Sequence, residues 1–207
     1  MEDVLDVYHR PHDPKRPLVC LDEASKQLVG EVVQPPPPEP GQPERFDYEY
    51  VRNGTANLFM LSEPLAGWRH VTVTDRRTAK DFAEVVRWLA EGLHPAAEKV
   101  VLVMDNLNTH KLASLYEAFP PDRARRIAER IEVHHTPKHG SWLNVAGIEL
   151  SVLSRQCLDR RIGSVAELVS EVDAWQTERN DRAVGVRWRF TTADARIKLR
   201  RLYPAIE

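Results

Sequence analysis

Two aspartates close runs of apolar residues: Asp22 ends LVCLD (18–22) and Asp105 ends VVLVMD (100–105). Such runs read as buried strands, and strand ends in an open α/β sheet gather side chains around one crevice where ligands bind. Two carboxylates brought together there repel, which raises one pKa unless a cation neutralises them. Their hard oxygens suit Mg²⁺ or Mn²⁺, ions that keep several waters and accept phosphate oxygens. One or two such ions support phosphodiester cleavage, by activating a water and stabilising the leaving 3′ oxygen. The plain alternative is that each aspartate merely starts the turn after its strand.

Polar groups cluster around these two positions. Asn106, Asn108 and His110 follow Asp105, and read either as groups that orient a metal-bound carboxylate or a phosphate, or as loop and helix caps. The turn-rich loop PKHGSW (137–142) opens a helix at Asn144. Its Lys138 and His139 suit contact with a DNA backbone, whereas Trp142 either stacks on an unpaired base or belongs to the core. Asn144 joins the groups that support the carboxylates or touch DNA. His134, His135 and His139 match no closed zinc spacing, and no cysteine joins them. Cys20 and Cys157 read as small buried hydrophobes rather than a disulfide or a ligand pair.

The elements that must position these groups follow from hydrophobic patterning. After the first strand, QPPPPEPGQP (34–43) can be neither helix nor central strand, because proline lacks the donor and fixes φ. Strands at 56–62 and 68–74 follow, joined by a turn with Pro64 and Gly67. Thr78 and Asp81 make a capping-box start, with Phe82, Val85, Val86, Leu89 and Leu93 at helical spacing. Then come the second aspartate strand, helices near 111–118 and 121–130, a strand at 131–135, a helix from Asn144, and a helix from Ser164 to about Asn180, its start marked by a Ser164–Glu167 capping box. A short helix near 193–203 ends the order. Three adjacent antiparallel strands followed by helix-linked strands imply a mixed sheet covered by helices, and no Gly-rich turn of a Rossmann domain follows the first strand.

Composition is that of an ordinary globular chain: 207 residues suit one domain or one domain with an appendage, 42% hydrophobic and 29% charged. No apolar run approaches a membrane span and the N-terminus has no signal-peptide pattern, so a cytoplasmic protein, nucleoid-associated when bound to DNA, is expected. The net charge of −2 gives no overall pull toward nucleic acid, but between Arg182 and Arg201 seven basic residues face one acid, Asp194. That stretch suits either phosphates or a solvated helix face.

Longer segments carry a family likeness. CLDEASKQLVGE, YVRNGTANLF, VLVMDNLNTH and HTPKHGSWLN followed by IELSVLSRQCLDRRI resemble bacterial insertion-sequence transposases of the DDE superfamily, in the mariner-related branch; WRFTTADARIKLRRLYP is similar to the C-terminal end of that group. The resemblance implies a ribonuclease H-like α/β fold, a mixed five-stranded sheet with helices on both faces, over residues 1–180, with a basic extension at 181–207 packed on it. It implies metal-dependent DNA strand cleavage and strand transfer at transposon ends. Asp22 matches the first catalytic aspartate and Asp105 the second, both holding Mg²⁺ or Mn²⁺. The implied partners are double-stranded DNA of terminal inverted repeats and a second copy in a homodimer. The family's upstream helix-turn-helix has no counterpart in these residues, so the chain is expected to be the second half of a longer or frameshifted transposase.

The third family acid stands three residues after the asparagine of the Leu-Asn pair. Here Leu143-Asn144 is followed at that place by Gly147, and Glu149 lies two residues further on. Two residues turn a helix by about 200°, so these positions point to nearly opposite sides. Gly147 shares an arc with Ser151 and Ser154, while Glu149 falls beside Gln156, flanked by Val145, Val152 and Leu153. Two readings stay open: Gly147 vacates the catalytic position, or a register shift brings in Glu149 as the third catalytic and metal-binding residue. The functional alternatives are a nuclease with no joining role, and a catalytically inactive remnant that binds DNA or an intact transposase.

Overall fold

The computed structural model describes residues 1–32, 40–41, 49–106, 111–138 and 140–203. Asn108, His110, His139 and most of the proline-rich stretch therefore lie outside the described residues. Five strands, β1 (Leu18–Glu31), β2 (Tyr50–Glu63), β3 (Trp68–Thr74), β4 (Val100–Met104) and β5 (Ile131–His135), form one sheet in the order β3-β2-β1-β4-β5. β2 pairs antiparallel with β1 and with β3, whereas β4 pairs parallel with β1 and with β5. The expected mixed five-stranded sheet is thus present.

Two of the strands are much longer than their apolar runs. β1 was expected to stop at Asp22, yet continues to Glu31, and β2 begins at Tyr50 rather than at 56. Beyond Asp22, β1 no longer has β4 beside it and pairs with β2 alone, out to Glu31↔Tyr50. Leu28 and Ala56 of this arm still belong to the core, but residues 50–55 are all exposed, so they need not be apolar and the pattern hides the strand.

Alternation along the central strands divides the core in two. On one face Cys20, Met60, Val101 and Val103 pack with the helices α1 (Glu2–Tyr8), α5 (Val145–Leu153), α6 (Val165–Asp181) and α7 (Thr192–Lys198). On the other, Val19, Leu21, Leu102 and Met104 pack with α2 (Ala79–Arg87), α3 (Ser114–Ala118) and α4 (Pro121–Glu129). All five residues of β4 are buried, as a parallel strand covered on both sides requires. Helix starts follow their caps. Thr78 accepts from Asp81 N and Asp81 from Thr78 N, whereas at α6 Ser164 accepts from Glu167 N but the Glu167 carboxylate takes Gly163 N, so that box is incomplete. The last helix stops at Lys198, and Leu202, expected on its apolar side, is exposed.

The outer edge of β3 is covered by α6. Asn180 accepts from Arg69 N (2.9 Å) and donates to Arg69 O (2.8 Å), and Gln176 accepts from Val71 N (2.9 Å). Two side-chain amides thereby satisfy backbone groups that an edge strand leaves open. At the β2–β3 turn Gly67 has φ +68°, and a Cβ there would collide with the Ala183 carbonyl that follows α6. Among the described residues no helix is long and apolar enough to cross a membrane.

Candidate functional site

Parallel pairing of β1 with β4 brings the two sequence-selected aspartates side by side. The register runs Leu18↔Val101 to Leu21↔Met104, and one rung further stand Asp22 and Asp105. Neighbouring strands lie about 4.8 Å apart, and residues opposite one another in a parallel pair point to the same face. That face is the one of Cys20 and Val103, under α5. Asp22 Oδ1 accepts from Glu23 N at 2.8 Å, and Asp105 Oδ1 accepts from the Thr136 hydroxyl at 2.8 Å. Thr136 is itself tied to β4 by its N–H on Met104 O (3.0 Å). Each carboxylate is oriented from one side by its own strand or the next.

Helix α5 is fastened over this pair at its first turn. Asn144 is buried; its Oδ1 caps Ala146 N (3.2 Å) and its Nδ2 donates to Leu21 O (2.8 Å), the residue before Asp22. It therefore positions the helix on β1 and is not available to DNA. Tyr8 of α1 adds a second fastening: its hydroxyl donates to Leu143 O (2.6 Å) and accepts from Val145 N (3.3 Å). With Asn144 as cap, Gly147 is the third helical residue and faces the site. A Cβ built on it would lie 2.8 Å from Asp22 Oδ2.

Glu149, the alternative third acid, points elsewhere. It is buried at 2% exposure, and its carboxylate hydrogen-bonds Arg179 of α6 (3.1 Å from Nη2 to each oxygen) and sits 3.2 Å from Arg69 Nε of β3. The register shift that would bring it to Asp22 is absent, because the asparagine cap sets the helix phase and 200° of rotation carries Glu149 to the far side. Arg69 is also buried, with Nη1 on Asn180 Oδ1 (3.2 Å) and Nη2 on Val184 O. Burial lowers the Arg69 pKa first, and Glu149 opposes that shift. One carboxylate between two guanidiniums is a structural triad joining β3, α5 and α6. Among the described residues no group of three or more His, Cys, Asp or Glu side chains converges as a ligand set.

Of the remaining sequence-selected residues, Asn106 and Lys138 are exposed near the aspartate strand ends. His134 is buried against Asp3 (2.7 Å) and Glu132 (3.0 Å), which accounts for it without a metal. Trp142 is not core: it is 44% exposed and stacks on Trp188 with centroids 6.3 Å apart. Thr136, Tyr8, Arg69 and Arg179 were not foreseen. Thr136 had a signal, since it follows β5 immediately and β5 had to lie beside β4; the other three are long-range contacts with no local signature.

Residues 17–169 match the family of DDE superfamily endonucleases. Among solved structures, the Mos1 transposase paired-end complex with left transposon end is similar at 16% identity and a TM-score of 0.58, covering 88% of this chain and 56% of that one. The Mos1 strand transfer complex is similar at 17% identity and a TM-score of 0.57, and the Mos1 mariner paired end complex with Mn at 17% and 0.56; each covers 88% of this chain and 55% of the other. The likeness establishes the ribonuclease H-like fold, and the chain spans little more than half the length of those transposases. Comparison with curated protein sequences yields no match.

Proposed function

Because the chain belongs to the DDE superfamily endonucleases, we propose that it is the catalytic domain of a mariner-related, insertion-sequence transposase whose strand-cleaving site is impaired at Gly147. The observation that carries this reading is the single face shared by Asp22, Asp105 and the Gly147 turn of α5. Two hard carboxylates opposite one another on adjacent parallel strands fit a divalent cation, Mg²⁺ or Mn²⁺, with Asp22 and Asp105 as its protein ligands. When bound, such an ion supplies charge stabilisation for a phosphodiester and its leaving 3′ oxygen. The chain's own groups do the positioning. Glu23 N and Thr136 Oγ1 fix one oxygen of each carboxylate, and Asn144 and Tyr8 hold α5 above them.

The substrate is duplex DNA at transposon ends, and the working form is a homodimer on paired ends; the complexes in which the similar Mos1 structures were determined support the first of these. A glycine where the family places an acid favours a second reading, in which the chain binds DNA or an intact transposase without cutting. Mn²⁺ titration with nicking of supercoiled plasmid carrying terminal inverted repeats separates the two. Slow Mn²⁺-dependent nicking that Asp22→Asn and Asp105→Asn each abolish supports the enzyme. DNA binding with no nicking at any Mn²⁺ concentration supports the remnant.

A further inference from the structure

The segment after α6 carries a feature that the two aspartates do not use. From Val186 to Phe190 the chain reads V-R-W-R-F and runs without helix or sheet pairing, yet alternates strictly in exposure. Val186, Trp188 and Phe190 turn inward onto the α1/α5 core, with Trp188 5.1 Å from the Tyr8 ring, so Arg187 and Arg189 both face outward. The segment is seated tightly. Val186 N donates to Pro64 O (2.9 Å), a Cβ on Gly185 would come within 2.8 Å of the same oxygen, and Gly67 abuts Ala183. Together with Arg10, Pro11, His12 and the Pro64–Leu65 turn, the two arginines line an open cleft with no acidic side chain in its lining among the described residues.

We infer that this cleft is a second DNA-contact site, gripping two successive phosphates of one strand beside the duplex segment that reaches Asp22 and Asp105. The inference rests on the DNA reading above but on different residues. Two outward positions two residues apart on extended backbone are separated by about 6.6 Å, close to the separation of successive phosphates along a strand. Arg10 is engaged by Glu132 at 2.7 Å, whereas among the described residues no carboxylate lies within ion-pair distance of Arg187 or Arg189. Holding two guanidiniums outward on a rigid backbone, in a chain of net charge −2, places positive charge where the molecule otherwise repels a polyanion. The site is distinct from the aspartates: Asp22 is opposite Met60, and Pro64 lies four residues along β2 and its turn, about 13 Å or some four base-pair steps away.

The test is binding of a mixed-sequence DNA duplex to the full chain across a salt series, read by fluorescence anisotropy. For Arg187→Gln with Arg189→Gln, losing two phosphate contacts at about 0.9 each should flatten the slope of log affinity against log salt by about 1.8 and weaken binding roughly thirtyfold at 0.15 M salt. Arg187→Lys with Arg189→Lys should keep most of the slope. Arg125→Gln with Arg126→Gln, the same charge change on α4 across the sheet, should leave it unaltered. Melting temperature should stay unchanged in all three, since these side chains are exposed. A glutamine pair with the wild-type slope overturns the cleft and, if Mn²⁺-dependent nicking persists, leaves the active-site reading standing. An equal loss in the α4 control also overturns it. A wild-type chain that binds no duplex overturns both.

Discussion

Gly147→Glu turns the geometry above α5 into a measurement with opposite signs in two buffers. Without metal, the substitution removes a glycine from a helix, gaining about 0.5–1 kcal/mol, and puts an anion in the first turn, gaining about 0.3–1 kcal/mol. Against this, Cβ starts 2.8 Å from Asp22 Oδ2, so that side chain must swing, and the new carboxylate ends close to two others. At about 5 Å and an effective dielectric constant of 20, one such repulsion is about 3 kcal/mol. In chelator at neutral pH the variant should therefore be less stable by about 1–2 kcal/mol, a fall in melting temperature of roughly 2–8 °C for a domain of this size. With Mn²⁺ the three carboxylates share a cation and the same contacts become favourable. A tenfold tighter metal site adds about 1.4 kcal/mol, which erases most or all of the deficit. Differential scanning fluorimetry with EDTA and with Mn²⁺, alongside plasmid nicking, reads both. The reasoning is refuted if the melting shift is the same in the two buffers and nicking does not rise. Asp22→Asn in the Gly147→Glu background should abolish the metal response.

Three further outcomes follow from groups around the site. Glu149→Gln should destabilise the fold by about 3–5 kcal/mol in urea unfolding, because it leaves two guanidiniums without their buried counter-charge; nicking lost with no change in stability would instead make Glu149 a ligand. Burial holds the His70 imidazole below its ordinary 6.5, with Asp173 opposing. The unfolded chain then binds more protons, so stability is complete above pH 6.5 and falls as pH drops below it; His70→Phe, which keeps the ring against Trp88 (centroids 4.6 Å apart in the wild type), should flatten that slope in melts between pH 5 and 8. Burial pushes the Cys20 thiol up to about 12, so at pH 8 only about one molecule in 10⁴ is thiolate. Iodoacetamide should leave Cys20 unmodified in the native state and label it after unfolding, as mass spectrometry of the peptide would show.

Asp22 and Asp105 were legible because each ends a continuous apolar run, and a buried parallel strand leaves that signature. Their adjacency was legible only by family likeness, since nothing in the 82 intervening positions encodes which strands pair. The third acid was only half legible: Asn144 signalled a cap, but the sequence left open a register shift that would bring in Glu149, and the structure turns position 147, not 149, toward Asp22. What escaped is long-range and polar. Arg69, Arg179 and Tyr8 sit among residues that look like ordinary strand or helix surface, and their partners lie up to 137 positions away. The arm beyond Asp22 escaped for the opposite reason, because its many exposed residues carry no continuous apolar run.

The amide side chains of Asn180 and Gln176 also bear on how two copies can come together. They mimic the donors and acceptors of a sixth strand along the flank of β3, so a strand from another molecule finds that rim taken. Continuation of one sheet into the next across this flank would require peeling away α6, and with it the arginine that holds Glu149. Association on that side must therefore be built from helix surfaces and loops, leaving the carboxylate crevice undisturbed.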